Sequence, residues 1–377
     1  MACANMVAMS QRGDGDAIFS LDEKYEIVDI SKLFLSKAGS VCVAVITVVY
    51  LTGELVIYES LFAWTAVALC CGESRNEQNL CGPLTRTTVQ RLWIIAFNIL
   101  FGPFAFFHLT KMVAIEVVTW AVRLLTFTTI LVYTYYKNEQ GGGEVEIPSV
   151  NLERLPLIFG AGIFSYMVHH CMPSIVDPIV EKHRLKLILL VEFVILTCYY
   201  LLISLSLLFA DDDLNVIVTL HFLPAKNETV LAYRVMGYSV NVYPLLTVAA
   251  TFPLVAISLR ENLKNLFLRS GRKYSFFNRK VLFPLLIIIV SATIALASLD
   301  FPIIIIVATS YLGILVQYII PIVLVYNARV YCSSNFETYY NPFKSPFRKR
   351  QWEMVVIVVA SLAIVCITIK LCNKYLS

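Results

Sequence analysis

Residues 156–179 read PLIFGAGIFSYMVHHCMPSIVDPI, an apolar stretch of spanning length that carries Gly160, Gly162, His169, His170, Pro173, Asp177 and Pro178 within it. Lipid offers no partner to a freed backbone N–H or C=O, so a helix crossing a bilayer normally keeps its hydrogen bonds unbroken. Glycines, prolines and polar side chains at this depth predict a break instead. Broken backbone survives there only when it is buried in protein or lines a watery cavity. Half-helices of this kind build the midplane site of many secondary transporters. The stretch therefore points to a membrane carrier.

Composition agrees on the medium. Hydrophobic residues make up 58% of the 377 and charged residues 15%, with a mean hydropathy of +0.74, well outside the range of soluble domains. A span needs about 20 mostly apolar residues, and nine segments qualify: 39–69, 91–110, 112–136, 155–179, 187–210, 233–259, 281–299, 301–328 and 352–372. The expected fold is an all-α polytopic membrane protein of about nine spans. Residues 1–38 are polar and mixed in charge, which predicts a short cytosolic segment before a transmembrane domain at 39–372 and a short tail at 373–377. Residues 1–10 have no basic stretch before an apolar core and do not read as a signal peptide.

Orientation follows from the basic residues. With the N-terminus in the cytosol, twenty Lys and Arg fall on the cytosolic side and nine outside, and Arg123 lies within a span. That bias satisfies the positive-inside rule. The net charge of +4 is thus a topology signal and not a footprint for nucleic acid. The sequon Asn227-Glu-Thr229 falls in a loop assigned outside, where glycosylation is possible. Cys70 or Cys71 is placed to pair with Cys81 across another outer loop; most other cysteines read as small buried hydrophobes.

Ionisable groups within spans face a cavity or a partner, because lipid does not solvate them. Glu54 and Tyr58 are four residues apart and share a helical face. Glu54 either lines a central pathway or pairs with an Arg or hydroxyl of a neighbouring helix. Glu59, Glu192 and a pairing of Arg123 with Glu116 read as structural. His169-His170-Cys171 contains zinc-binding residue types, but adjacent helical residues diverge by about 100° and one ion does not easily gather all three. A polar hinge beside Pro173 is the better account, its imidazoles bonding freed carbonyls or titrating near neutral pH. In the sixth span, Thr247 and Thr251 precede Pro253, which frees the Ala249 carbonyl. These are hard oxygen ligands of the kind small cations accept; the bland alternative is a kinked helix whose threonines bond their own backbone. An intramembrane enzyme would need a nucleophile and a base on facing helices, and His169 has no obvious Ser or Cys partner, so an enzyme is not expected.

From residue 25 to about 375 the chain resembles the transmembrane protein 104 family, a divergent branch of the amino acid/auxin permeases. The resemblance rests on KLFLSKAG followed by YLTGELVIY, on RLWIIAFNILFGPFAFF, on FSYMVHHCMPSIVDPI, on TFPLVAISLRENLKNLF, on GILVQYIIPIVLVY and on KSPFRKRQW, in that order. It implies eleven spans in two inverted five-helix repeats, of which the nine here would be the third to the eleventh, so that the inverted-repeat permease fold would lack its first two helices. The 155–179 segment would be the broken sixth helix. Phe164, Ser165 and Tyr166 would face substrate at its unwound part, with Glu54 and Tyr58 on the third helix, and Thr251, with Thr247 one turn away, would help hold sodium.

The resemblance further implies a Na⁺- or H⁺-coupled, alternating-access carrier of neutral amino acids, with half of the central site missing. The alternative is a non-transporting membrane protein that senses amino acids or scaffolds a partner. Tyr25-Glu-Ile-Val28 fits a loose tyrosine-based sorting pattern, which leaves plasma membrane and endosomal or lysosomal membrane both open.

Overall fold

The computed structural model describes residues 1–12, 19–72, 80–107, 113–141, 162, 165–177, 179–208, 217–224, 229–268, 274–298, 311–336, 341–345, 347 and 349–376. Two short helices, α1 (Ala2–Arg12) and α2 (Ile27–Phe34), lead into the 35-residue α3 (Lys37–Cys71). The Ser36 hydroxyl caps α3 by accepting the Gly39 N–H at 3.3 Å, and Ser31 of α2 lies 2.9 Å from the Ser40 hydroxyl, tying the turn between the helices. At 1.5 Å per residue α3 is about 52 Å long, against an apolar bilayer core of about 30 Å, so it tilts or projects beyond the lipid.

Gly72 ends α3 at φ +72°, a conformation an L side chain resists. Cys71 is bonded to Cys81 in a small hairpin, β1 (Leu80–Cys81) and β2 (Leu84–Thr85), whose two-residue turn has Gly82 at φ +67°. Cys70, the other candidate, is free and exposed. Thr85 then caps α4 (Arg86–Phe101) through the Thr88 N–H at 3.3 Å, and Pro103 falls in the 3₁₀ turn Gly102–Phe106 that finishes it.

The remaining helices are α5 (Val113–Gly141), the one-turn α6 (Met172–Val176), α7 (Leu185–Leu208), α8 (Leu231–Phe267), α9 (Leu282–Ala297), α10 (Leu312–Asn335) and α11 (Arg350–Leu376). Helices α3 and α8 form the central pair, with α4, α5 and α9 packed around them. Tyr50, Leu51 and Leu55 of α3 meet Val248, Phe252 and Leu259 of α8 in the main core. Phe97 of α4 sets its ring edge-on to Phe252, 4.9 Å between centroids.

Burial is inverted relative to a water-soluble protein. Leu187, Leu190, Val194, Leu201 and Leu205 of α7 are exposed, as are Val355, Val358, Leu362 and Val365 of α11, while Glu59, Asn241, Thr65 and Ser291 are fully enclosed. Only a hydrocarbon solvent makes that arrangement favourable. Seven described helices are long and apolar enough to cross a bilayer, and the chain is a multi-pass membrane protein. The eighth apolar helix, α9, has 16 residues and follows a π turn at Phe277–Val281. Of the predicted 301–328 span, 301–310 lie outside the described residues and 312–328 are in α10. The remaining predicted span, 155–179, is the interrupted one.

Two features lie beyond the predicted spans. The polar lead at 1–38 contains helices that pack onto the bundle: Met6 clusters with Phe19 and Cys332, and Lys32 Nζ donates to the Asn265 carbonyl at 2.8 Å while Asn265 donates to Asp29 at the same distance. Helix α8 runs past 259 to Phe267. Its Arg260 is buried there because the guanidinium donates to the Ala105 and Phe107 carbonyls at 2.8 and 3.0 Å and pairs with Glu261 at 2.8 Å.

Candidate functional site

The break is visible bond by bond. Tyr166 N–H donates to the Gly162 carbonyl at 3.3 Å, Met167 and Val168 are not helical, and α6 is a single turn that ends where the Asp177 N–H meets the Pro173 carbonyl at 3.1 Å. Pro173 has no N–H for the His169 carbonyl four residues back. Gln317 answers the break from outside: its Nε2 donates to the Tyr166 carbonyl at 3.0 Å, and its Oε1 sits 3.1 Å from His169 Nδ1. Gln317 lies in a π turn, Leu315–Ile319, within α10.

The next residue turns to the other side. His170 Nε2 is 3.2 Å from Glu54 Oε2, both side chains buried, and the other carboxylate oxygen accepts the Tyr58 hydroxyl at 2.7 Å. Tyr50, one turn before Glu54, places its ring against the His170 imidazole at 5.3 Å. Tyr58 also meets the Thr251 hydroxyl of α8. Thr251 itself donates to the Thr247 carbonyl at 2.8 Å, the backbone bond of the kinked-helix alternative, and α8 continues through both Pro244 and Pro253.

Several polar atoms in this region are buried without a hydrogen-bond partner among the described residues: the Tyr50 hydroxyl, His170 Nδ1 and, one turn along α8 from Thr251, the Thr247 hydroxyl. An orphaned polar group costs about 1–3 kcal/mol, and several together are a common mark of a ligand position.

The structure thus brings Glu54, Tyr58 and Thr251 together, with His170 and Tyr50 added. The Tyr166 side chain points to α7, donating to the Thr197 hydroxyl at 2.9 Å and packing on Phe193 and Tyr200. Ser165 is exposed. Phe164 and Asn227 lie outside the described residues. The two imidazoles reach side chains, Gln317 and Glu54, and among the described residues neither bonds a freed carbonyl. Glu59 is on another wall, accepting the Ser291 hydroxyl of α9 at 2.6 Å. Sequence reading missed Tyr50, although it continues the four-residue spacing of Glu54 and Tyr58, and missed Gln317, whose only signal is one amide in the apolar run GILVQYII.

A helical bundle with an interrupted span, buried polar side chains at the interruption and lipid-facing apolar walls has the architecture of a membrane carrier. The chain belongs to the transmembrane amino acid transporter protein family, whose family model matches residues 22–371. It is similar to the Transmembrane protein 104 homolog of Drosophila melanogaster, 29% identical over 379 residues that cover 94% of this chain and 74% of that one. Transmembrane protein 104 of Mus musculus is 28% identical over 366 residues, covering 93% and 73%. The Homo sapiens protein of the same name is 26% identical over 379 residues, covering 96% and 76%.

Proposed function

We propose that this chain moves neutral amino acids across its membrane by alternating access, coupled to Na⁺ or H⁺. The observation that carries the reading is the His170–Glu54 contact: it joins an unwound segment to the long central helix, with His170 Nδ1 and the Tyr50 hydroxyl buried beside it and not hydrogen-bonded among the described residues. Phe164, Ser165 and Tyr166 would meet the substrate at the break, with Glu54 and Tyr58 opposite. Thr247 and Thr251 would offer oxygen ligands to a small cation.

The proposed motion is local. The broken segment is held to α3 by His170 and to α10 through Gln317, so exchanging either contact frees it to rock while α3 and α8 keep their shared core. The proposed orientation has the N-terminus in the cytosol and the Cys71–Cys81 hairpin outside, since disulfides persist in oxidising compartments. Asn227 would then be open to glycosylation.

Uptake of labelled neutral amino acids into vesicles containing the purified chain tests the function. A sodium or proton gradient should drive accumulation, and His170→Ala should lower it at least tenfold. Saturable amino acid binding without uptake under either gradient would replace the carrier with a sensor.

A further inference from the structure

A second site lies on the far side of the break, between α1, α2, α6 and α10. We propose that this cavity binds a single-chain amphiphile with an anionic head, the chemistry shared by a fatty acid and a lysophospholipid. The inference goes beyond amino acid transport and does not depend on it.

Size and shape come first. The cavity holds about 680 Å³, within the usual range for small-ligand sites of about 300–1,000 Å³. Residues of α10 from Ile320 to Ser333 line it, so at 1.5 Å per residue it extends roughly 20 Å along that helix. One leaflet of a bilayer has an apolar depth of about 15 Å, half of the roughly 30 Å core. The length therefore accommodates one acyl chain and a head group.

Polarity runs along the same axis. The end at the break is walled by Met172 and Pro173 of α6 and by Ile320 and Leu324 of α10. His169 reaches this end with its imidazole already engaged by Gln317. The opposite end has Arg329, Ser333, Asn341, Lys344 and Ser345, and no carboxylate side chain is among the described lining residues. Arg329 is fixed in place, its guanidinium bonded to Glu353 at 2.7 Å, which offsets its charge, and to the Phe347 carbonyl at 2.9 Å, so that Lys344 carries the excess positive charge of the lining. Lys186 Nζ donates to the Lys344 carbonyl at 2.7 Å and brings another ammonium to the rim. Helix α10 ends at Asn335, so the cationic end lies at the membrane face and the apolar end at the depth of the break. A lipid has the same order, head at the interface and chain inside.

The test uses the purified full chain in nanodiscs with a diazirine-bearing palmitate. Saturable photolabelling should map to the peptides around Leu324 or Met172 and be competed by excess palmitate, by lysophosphatidic acid or by both, the pattern identifying the head group. Leu324→Trp, which fills the cavity, should reduce labelling at least tenfold. The surface charge reversal Lys344→Glu, which leaves the core untouched, should reduce it several-fold, and Ile99→Trp on a lipid-facing wall should not. Label that neither Leu324→Trp nor Lys344→Glu diminishes would overturn the proposal. So would competition by a neutral amino acid or by inorganic phosphate alone, the first because the cavity would then be a water-filled vestibule.

Discussion

Glu54 and His170 meet at 3.2 Å between the middle of α3 and the non-helical residues just before α6, with both side chains buried. Truncating one partner of a buried charged pair leaves the other uncompensated, typically at about 3–5 kcal/mol. Glu54→Gln and His170→Ala should each lower the unfolding temperature in detergent, and the double variant should lose less than the sum. Additive losses would mean that the two groups do not act on one another.

Glu59 makes the opposite case only five residues along α3. Its carboxylate accepts the Ser291 hydroxyl at 2.6 Å in a fully enclosed site away from the break. Ser291→Ala should cost about 1–3 kcal/mol through the orphaned acceptor and leave the apparent affinity for substrate unchanged. A changed affinity would move Glu59 from scaffold to pathway.

Two glycines separate hard contact from soft. A β-carbon at Gly237 would run into the Phe222 carbonyl and the Pro224 ring, whereas one at Gly313 would meet only the terminal methyl of Met167 at 2.7 Å. Backbone does not yield and a methionine end does. Gly237→Ala should destabilise by about 1–3 kcal/mol and Gly313→Ala by less, both read from melting curves. The reverse order would show that the 217–224 segment gives way more easily than the break.

The Cys71–Cys81 bond closes a loop with a sequence separation of 10 residues, for which chain entropy predicts about 2–3 kcal/mol. Cys81→Ser should lower stability by that order, and Cys71 should become reactive toward maleimide beside Cys70. In membrane vesicles of known orientation, an impermeant maleimide applied after mild reduction should reach this pair from the non-cytosolic face. Labelling from the cytosolic face would place the hairpin in the cytosol.

Much of this was legible in residue order, and what was not has a physical reason. Long apolar runs announce spanning helices without knowledge of their neighbours, because lipid imposes the same demand on each. The break was legible because Gly162 and Pro173 are costly in an isolated helix. Glu54 and Tyr58 could be paired because i,i+4 spacing is local. His170 could not be assigned to Glu54, since nothing within either stretch records which helix faces which. The choice of Cys71 over Cys70 depends on one helical step of about 100° at the end of α3, finer than span boundaries resolve. Arg260 and Asn265 look like signals for a helix end at the interface, yet α8 carries them onward because carbonyls of another element and the side chain of α2 receive them.

The π turn at Leu315–Ile319 amounts to one residue inserted into an otherwise α-helical rod. An inserted residue turns everything after it by about 100° about the axis. Arg329 and Cys332 therefore owe their azimuth to a defect more than two turns upstream, the same one that presents Gln317 to Tyr166 and His169. Were that turn to tighten into regular helix, Gln317 would release the broken segment and the lower half of α10 would swivel in the same event. Clasp and wall thus share one register, set by a single dislocation in the helix lattice.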